Sequence, residues 1–345
     1  MDYFWLIVCL LGILAAAELF TNAVEWVGFI YRLGGGGVGS VLAAVGTALP
    51  ETMIPLIALI GAHFSGSEAE MLKNRDVGIG AILGAPFMLS CVAFAVAGFA
   101  KSAYNRTGRR PRPINQDPEI FRRDIGTFVI LYSLAILCSF FPAHWMKLAT
   151  AGVLFIGYII YVVMTFRGDK PDIEAPKPCL FDSKCEIPRP WKVWGQLIIS
   201  LAMIIGLAHL FVIEVKNVSS LLGVNPLVLS LIIAPLATEL PEKFNSIIWM
   251  RDCKDTLALG NIAGAMVFQS TFPVSVGIIF SDWVLWDKNS PETIFAILAA
   301  VFALISGMYF LILDRFGIKI RSRLLAAPFL LYILYIFIVI TKAKH

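Results

Sequence analysis

The chain is poor in charge. Asp, Glu, Lys and Arg make up 15% of its 345 residues, and histidine occurs four times. No His-Glu-x-x-His sequence is present and no Asp pair stands out, so the chain carries no sign of a metal-assisted hydrolase. The run Gly34–Gly37 lacks the Lys-Ser/Thr sequel of a phosphate loop and reads as a cytoplasmic turn or hinge. Sustained apolar/polar alternation is missing, which excludes a membrane β-barrel. No basic stretch precedes the first apolar run and no small-residue cleavage site follows it, so a retained helix is expected rather than a signal peptide. The net charge of +4 is small, and nucleic acid is not an expected partner. Of six cysteines, Cys9, Cys91 and Cys138 sit in apolar runs as small fillers. Cys179 and Cys185 fall in a loop assigned below to the reducing cytosol, where neither a disulfide nor a zinc site is expected. No cofactor is expected, and nothing in the chain specifies an oligomeric state.

What the chain has is apolar length. Its hydrophobic share is 58% and its mean hydropathy +0.80; soluble domains run at about 45–50% apolar. A span needs about 20 apolar residues. Ten segments qualify, near 3–24, 38–62, 77–100, 121–141, 145–166, 193–215, 225–249, 256–280, 292–313 and 324–341. The fold class expected is an all-α membrane protein of ten transmembrane helices, with the lipid bilayer as its surroundings. Basic residues divide the loops unequally. One set holds Arg32, the cluster from Lys101 to Arg123, the cluster from Arg167 to Lys192, Arg251, Lys254, and Arg315 to Arg323. The other holds Lys73, Arg75, Lys147, Lys216, Lys288, Lys342 and Lys344. The richer set is cytoplasmic by the positive-inside rule, which puts both termini outside the cell membrane. Trp145, Trp191 and Trp283 are expected in an interfacial belt.

Two stretches are related. Val45-Gly46-Thr47-Ala48-Leu49-Pro50-Glu51 is echoed by Ala237-Thr238-Glu239-Leu240-Pro241-Glu242-Lys243, at the constant offset 242 − 51 = 191. Ala17-Glu18-Leu19-Phe20 and Ala208-His209-Leu210-Phe211 share that offset. Gly80-Ala81-Ile82-Leu83-Gly84-Ala85 is echoed by Gly260-Asn261-Ile262-Ala263-Gly264-Ala265, at offset 180. Gly-xxx-Gly lets helix backbones approach closely, and here it is expected to set the third segment against the second and the eighth against the seventh. The halves are residues 1–167 and 191–345, five helices each, joined by a Pro-rich cytoplasmic linker at 168–190. An odd number of spans inverts the second copy.

A proline followed by a carboxylate in mid-membrane is costly twice over. The proline frees a carbonyl one turn back, here of Gly46 and Ala237, and the carboxylate needs a partner. The plain alternative is a proline kink with a protonated Glu packed in a bundle; recurrence at matched positions speaks against it. Thr47 and Glu51, like Thr238 and Glu242, are four apart and share a helix face. Hydroxyl, carbonyl and carboxylate are hard ligands, suited to sodium, calcium or manganese. Two carboxylates neutralise one divalent cation, and the same pair can hold sodium ions or protons. Glu239 lies three before Glu242, and Lys243 four after Glu239. This is either a structural pair that cancels charge or an ammonium that stands in for a bound cation. Glu18 and His209 are candidates for lining an ion path.

The paired motifs GTALPET and LATELPEK, each followed one span later by Gly-xxx-Gly, resemble the two alpha repeats of the sodium/calcium exchangers, within the calcium/cation antiporters. The resemblance covers both repeats, the ten-span plan and the outside termini. It implies antiport of calcium against sodium or protons by alternating access, with small inorganic cations as partners. It makes Glu51 and Glu242 the main ligands and adds Thr47 and Thr238. The family pattern in the third and eighth spans is Gly-Asn-x-x-Gly-Ser-Asn-x-x-Asn/Asp. Here Ala81, Ala85 and Ala265 replace ligands, and Leu89 and Gln269 stand at the last position, with Gln269 still a candidate ligand. The missing oxygens reduce the room for several sodium ions. Two other functions follow from them: a cation/proton exchanger without sodium coupling, and a transport-inactive sensor or scaffold.

Overall fold

The apolar runs fold as helices whose ends are set by capping residues in the sequence. Ser67 accepts the Glu70 N–H at 3.3 Å and opens one helix. Asp117, followed by Pro118, accepts the N–H groups of Glu119 and Ile120 and opens another. Gly223 closes a long helix at φ 64°, a conformation that costs glycine little. In the computed structural model the described residues are 2–31, 38–106, 114–168, 177–286 and 292–342. The side chains of 2, 38–50, 106, 166–168, 237 and 241 lie outside that description.

Among the described residues every element is a helix. In order they are α1 (Asp2–Ile30), α2 (Val38–His63), α3 (Glu68–Met88), a π-helical turn (Leu89–Ala93) and α4 (Phe94–Arg106). Next come α5 (Pro118–Cys138), α6 (His144–Gly168), α7 (Pro190–Leu222), α8 (Pro226–Thr238) and α9 (Leu240–Arg251). The chain continues with α10 (Asp255–Gln269), α11 (Phe272–Phe280), α12 (Thr293–Arg315), α13 (Ser322–Ala326) and α14 (Phe329–Lys342). Among the described residues seven stretches are long and apolar enough to cross a membrane: Tyr3–Ile30, Glu68–Asn105, His144–Thr165, Pro190–Leu222, Asp255–Phe280, Thr293–Arg315 and Ser322–Lys342. The chain is therefore a multi-pass membrane protein. The segments near 38–62, 121–141 and 225–249 are helical too, as α2, α5 and α8–α9, but fall outside those seven. α5 opens with Glu119, Arg122, Arg123 and Asp124, and α8 and α9 are only 13 and 12 residues long.

The stretch Glu68–Asn105 is the most enclosed of the seven and forms the centre of the bundle. Around it pack α2, α8, α12 and α13. α1 and α7 lie along one another, with Phe20 and Val24 against Ile204 and Gly12 against Leu207. They have 29 and 33 residues; at about 1.5 Å per residue both outrun a hydrocarbon core of about 30 Å. Large apolar side chains such as Ile130, Ile156, Ile198, Ile312 and Phe337 point outward, as a lipid-facing surface requires.

The described part of the linker, 177–189, is laid against α1 and α7. Asn22 and Trp26 donate to the Lys177 carbonyl at 3.2 and 2.8 Å. Gln196 accepts the Phe181 N–H at 2.9 Å, and its amide donates to Asn22 Oδ1 at 3.0 Å. Cys179 is fully buried beside Trp26 and Val193, with its thiol on Gln196 at 3.3 Å. Lys192 at 2.6 Å and the Arg189 N–H hold the Asp182 carboxyl below the usual carboxylate range. Trp283 departs from the interfacial expectation. It is buried, and its indole donates to the Ala135 carbonyl at 2.9 Å. Trp145 and Trp191 are exposed.

Candidate ion-binding site

The central helix reaches the candidate site through its glycines. A Cβ on Gly80 would lie 2.3 Å from the Leu227 carbonyl oxygen, and one on Gly84 would lie 2.2 Å from that of Leu231 and 2.8 Å from Pro235. Only glycine lets the α3 backbone sit there. Ser230 adds a buried hydrogen bond of 2.7 Å to the Val77 carbonyl. The first Gly-xxx-Gly therefore presses α3 against α8, the seventh segment, and not against the second as its spacing had suggested. Contact of α3 with α2 runs through Gly78 against Leu59. In the echo, a Cβ on Gly260 would meet nothing within 4 Å among the described residues, and one on Gly264 would lie 3.5 Å from the Tyr161 hydroxyl.

The third, seventh and eighth segments are interrupted near the middle. The third widens into the π turn at Leu89–Ala93, where the exposed need of the Ser90 carbonyl is met by Ser306 of α12 at 2.8 Å. The eighth breaks at Ser270 and Thr271, whose hydroxyls take up the Val267 and Phe268 carbonyls. These interruptions sit at matching positions, since 270 − 90 = 180. The seventh breaks at Glu239, which has φ −92° and ψ 6° and separates α8 from α9.

The polar side chains gather around the Glu239 break. Glu239 is completely buried, Glu242 is 4% exposed, and Glu51 is 7% exposed. The Lys243 ammonium donates to Glu239 Oε2 at 3.0 Å. Three carboxylate oxygens, Glu51 Oε1, Glu239 Oε1 and Glu242 Oε2, are buried with no hydrogen-bond partner among the described residues. Glu51 lies within electrostatic reach of Glu242, Glu239 and Lys243. Fully ionised, the group carries three negative charges and one positive. Such orphaned oxygens are expensive in a low-dielectric interior unless a cation or proton meets them. Among the described residues no three Asp, Glu, His or Cys side chains are close enough to hold a metal ion together.

Of the other sequence candidates, Gln269 is buried at the end of α10 with Nε2 unpartnered. Thr238 is buried, and its hydroxyl donates back to the Ala234 carbonyl at 3.2 Å. Gly46, Thr47 and Ala237 lie in helical backbone, and their contacts fall outside the described residues. Ala81, Ala85 and Leu89 are buried and apolar, so α3 and its π turn offer no side-chain oxygen at those positions. Glu18 and His209 are exposed, which takes them out of the helix interior. Ser246 of α9 is buried and donates across to the Ala258 carbonyl at 3.2 Å.

Three further residues take part, of which the sequence pattern picks out Asn261 alone, as the Gly-Asn position kept in the second copy. Asn261 donates to the Glu242 backbone carbonyl at 3.4 Å, behind the carboxylate. The Lys101 ammonium pairs with both Asp255 oxygens at 2.8 and 2.9 Å, each side chain 2% exposed, and the Asn115 N–H completes that group. Asn261 has its signal in the repeat. The Lys101–Asp255 pair is separated by 154 residues and has none.

Comparison with known proteins gives a consistent result. The chain is 25% identical over 274 residues to CaxA of Alkalimonas amylolytica, whose name describes it as an antiporter; the match spans 78% of this chain and 77% of that one. The crystal structure of an H+/Ca2+ exchanger, CAX, superposes with a TM-score of 0.74 at 17% identity, over 99% of this chain and 85% of that one. The sodium-calcium exchanger NCX_Mj superposes with a TM-score of 0.59 at 18% identity, over 97% of both chains. The family model for the sodium/calcium exchanger protein matches residues 1–167 and 192–341. With nearly its whole length matched, the chain belongs to the sodium/calcium exchanger protein family.

Proposed function

We propose that this chain is a secondary active antiporter that exchanges calcium, or another hard cation, for sodium or protons by alternating access. Glu51 and Glu242 are its main ion ligands, with Glu239, Gln269, Thr47, Thr238 and the carbonyls of Gly46 and Ala237 as further oxygens. One observation carries this reading. Two carboxylates from matched motifs 191 residues apart are buried within electrostatic reach of one another, each with an oxygen left unpartnered. Family membership in a transporter class supports it.

The architecture that goes with it is ten spans in two inverted five-helix repeats, 1–167 and 191–345, joined by a cytoplasmic linker at 168–190. Paired packing supports this reading. α4 packs on α13 as α11 does on α6, and α5 packs on α10 as α12 does on α3. Each pair maps onto the other when the halves are exchanged. The interruptions offset by 180 agree. The basic loops put both termini outside the cell membrane. Cysteine labelling of the 168–190 linker from the outside of intact cells would overturn that orientation.

A second reading keeps the fold and drops sodium. Buried Ala85 and Leu89 remove oxygens from α3, which favours protons as the coupling ion. Proteoliposomes decide. Calcium uptake driven by a pH gradient with sodium absent supports proton coupling; uptake that needs sodium and ignores the pH gradient supports sodium. No cation flux under any gradient would remove antiport altogether.

A further inference from the structure

The Glu239–Lys243 pair is more than two matched carboxylates require. At the corresponding positions of the first copy stand Ala48 and Thr52, by 239 − 48 = 191 and 243 − 52 = 191. That copy forms an unbroken helix there, and neither residue carries a charge. Burying an ion pair contributes little net stability, because desolvation offsets the attraction. Stability alone is thus a poor reason for this one. Its position is specific. The Lys243 side chain is 8% exposed and that of Glu239 is fully buried. Its ammonium takes one oxygen of Glu239 at 3.0 Å and leaves the other unpartnered. The charge of Lys243 also reaches Glu51 and Glu242, the two carboxylates whose oxygens lack partners. The charged and titratable groups around it are then Glu51 from α2, Glu239 and Glu242 from the seventh segment, and Tyr332 from α14, which feels Glu239.

We infer that Lys243 is a tethered cation of the ion site. Its ammonium occupies Glu239 while the cargo is away and gives up Glu239 when a divalent cation enters. It therefore lowers the affinity for divalent cations and takes the place of one coupling ion. With Lys243 present, three carboxylates and one ammonium match a single divalent charge. Without it, the site has room for a divalent cation and one further monovalent ion. This inference rests on the antiport site proposed above.

The test uses the purified full-length chain and calcium as the probe. Lys243→Met is expected to bind calcium about tenfold more tightly, the effect of removing one nearby positive charge from a partly screened site. Lys243→Arg is expected to stay within about threefold of the wild type, since the charge is kept. In Lys243→Ala, millimolar ethylammonium is expected to compete with calcium, as an untethered copy of the lysine; in the wild type it is expected to have no effect. Should Lys243→Met not stay monodisperse, Lys243→Ala prepared with ethylammonium supplies the same measurement by washing the amine out. Calcium binding in Lys243→Met that equals or falls below the wild type, or an amine that stabilises Lys243→Ala without competing, overturns the inference. Glu242→Gln is the control. If it binds calcium normally, the site itself is wrong; if it loses calcium while Lys243→Met is unchanged, only the role of Lys243 is.

Discussion

The two copies of the motif share their residues but not their backbone. In the first, α2 runs unbroken from Val38 to His63 through Pro50 and Glu51. In the second, the helix stops at Thr238 and restarts at Leu240, with Glu239 between. Both copies contain the proline, so proline alone does not break the helix. What differs is the residue two before it, Ala48 in one and Glu239 in the other, and the residue that pairs with it, Thr52 or Lys243. The copies also differ in what their glycines do, since Gly80 and Gly84 seat a helix backbone while Gly260 meets nothing close among the described residues. A sequence repeat thus preserves the ligand-bearing residue while the elements around it diverge.

The largest expected effect tests whether the two carboxylates are nonetheless equivalent. Glu51→Gln and Glu242→Gln should each lower calcium flux in proteoliposomes by about 100-fold or more, because a desolvated divalent ion left under-neutralised is costly by several kcal/mol. Flux like the wild type in one variant alone would show that only one copy supplies a ligand.

A second contrast lies at the ends of the third and eighth segments. Lys101 is locked to Asp255, whereas its counterpart Ser281, by 281 − 101 = 180, bonds the Gly277 carbonyl and the Trp283 N–H. Lys101→Met leaves a buried carboxylate and should cost about 3–5 kcal/mol. Ser281→Ala should cost about 1 kcal/mol. Thermal unfolding in detergent measures both, and equal shifts would mean that the buried pair is not what holds α4 to α10.

The smallest effect is a difference of sign. Gly84→Ala drives a methyl onto the Leu231 carbonyl, a strain of about 1–3 kcal/mol. Gly260→Ala has room among the described residues and should gain about 0.5–1 kcal/mol in helix propensity. If both variants lower the unfolding temperature, Gly260 is packed as closely as Gly84.

The sequence makes most of the helical segments legible because they are long apolar runs, and makes Glu51 and Glu242 legible because each follows a proline at one offset. Other features depend on residues far apart in the chain. The Ser90 carbonyl in the π turn is met by Ser306, 216 residues away, and no local pattern at 89–93 announces the turn. Gly-xxx-Gly says that something packs closely but not what, and here its partner is α8. Trp283 looks interfacial because it follows an apolar run, yet the carbonyl that holds it belongs to Ala135. Glu18 and His209 share the repeat offset without sharing the interior, since a matched position fixes ancestry of a face and not its burial.

The docked strap at 177–189 has a consequence for the integrity of the chain. It leads directly into α7, yet Asn22 and Trp26 of α1 hold its backbone, and Gln196 of α7 bridges the two. The strap is thus a latch between the first and second halves that does not rely on the peptide bonds before it. A protease site engineered between residues 168 and 176 should, once cut, leave two fragments that migrate as one particle in mild detergent and part only in SDS. Asn22→Leu together with Gln196→Leu should free the strap for further proteolysis, while the packing of α1 on α7 and of α3 on α8 still keeps the halves together.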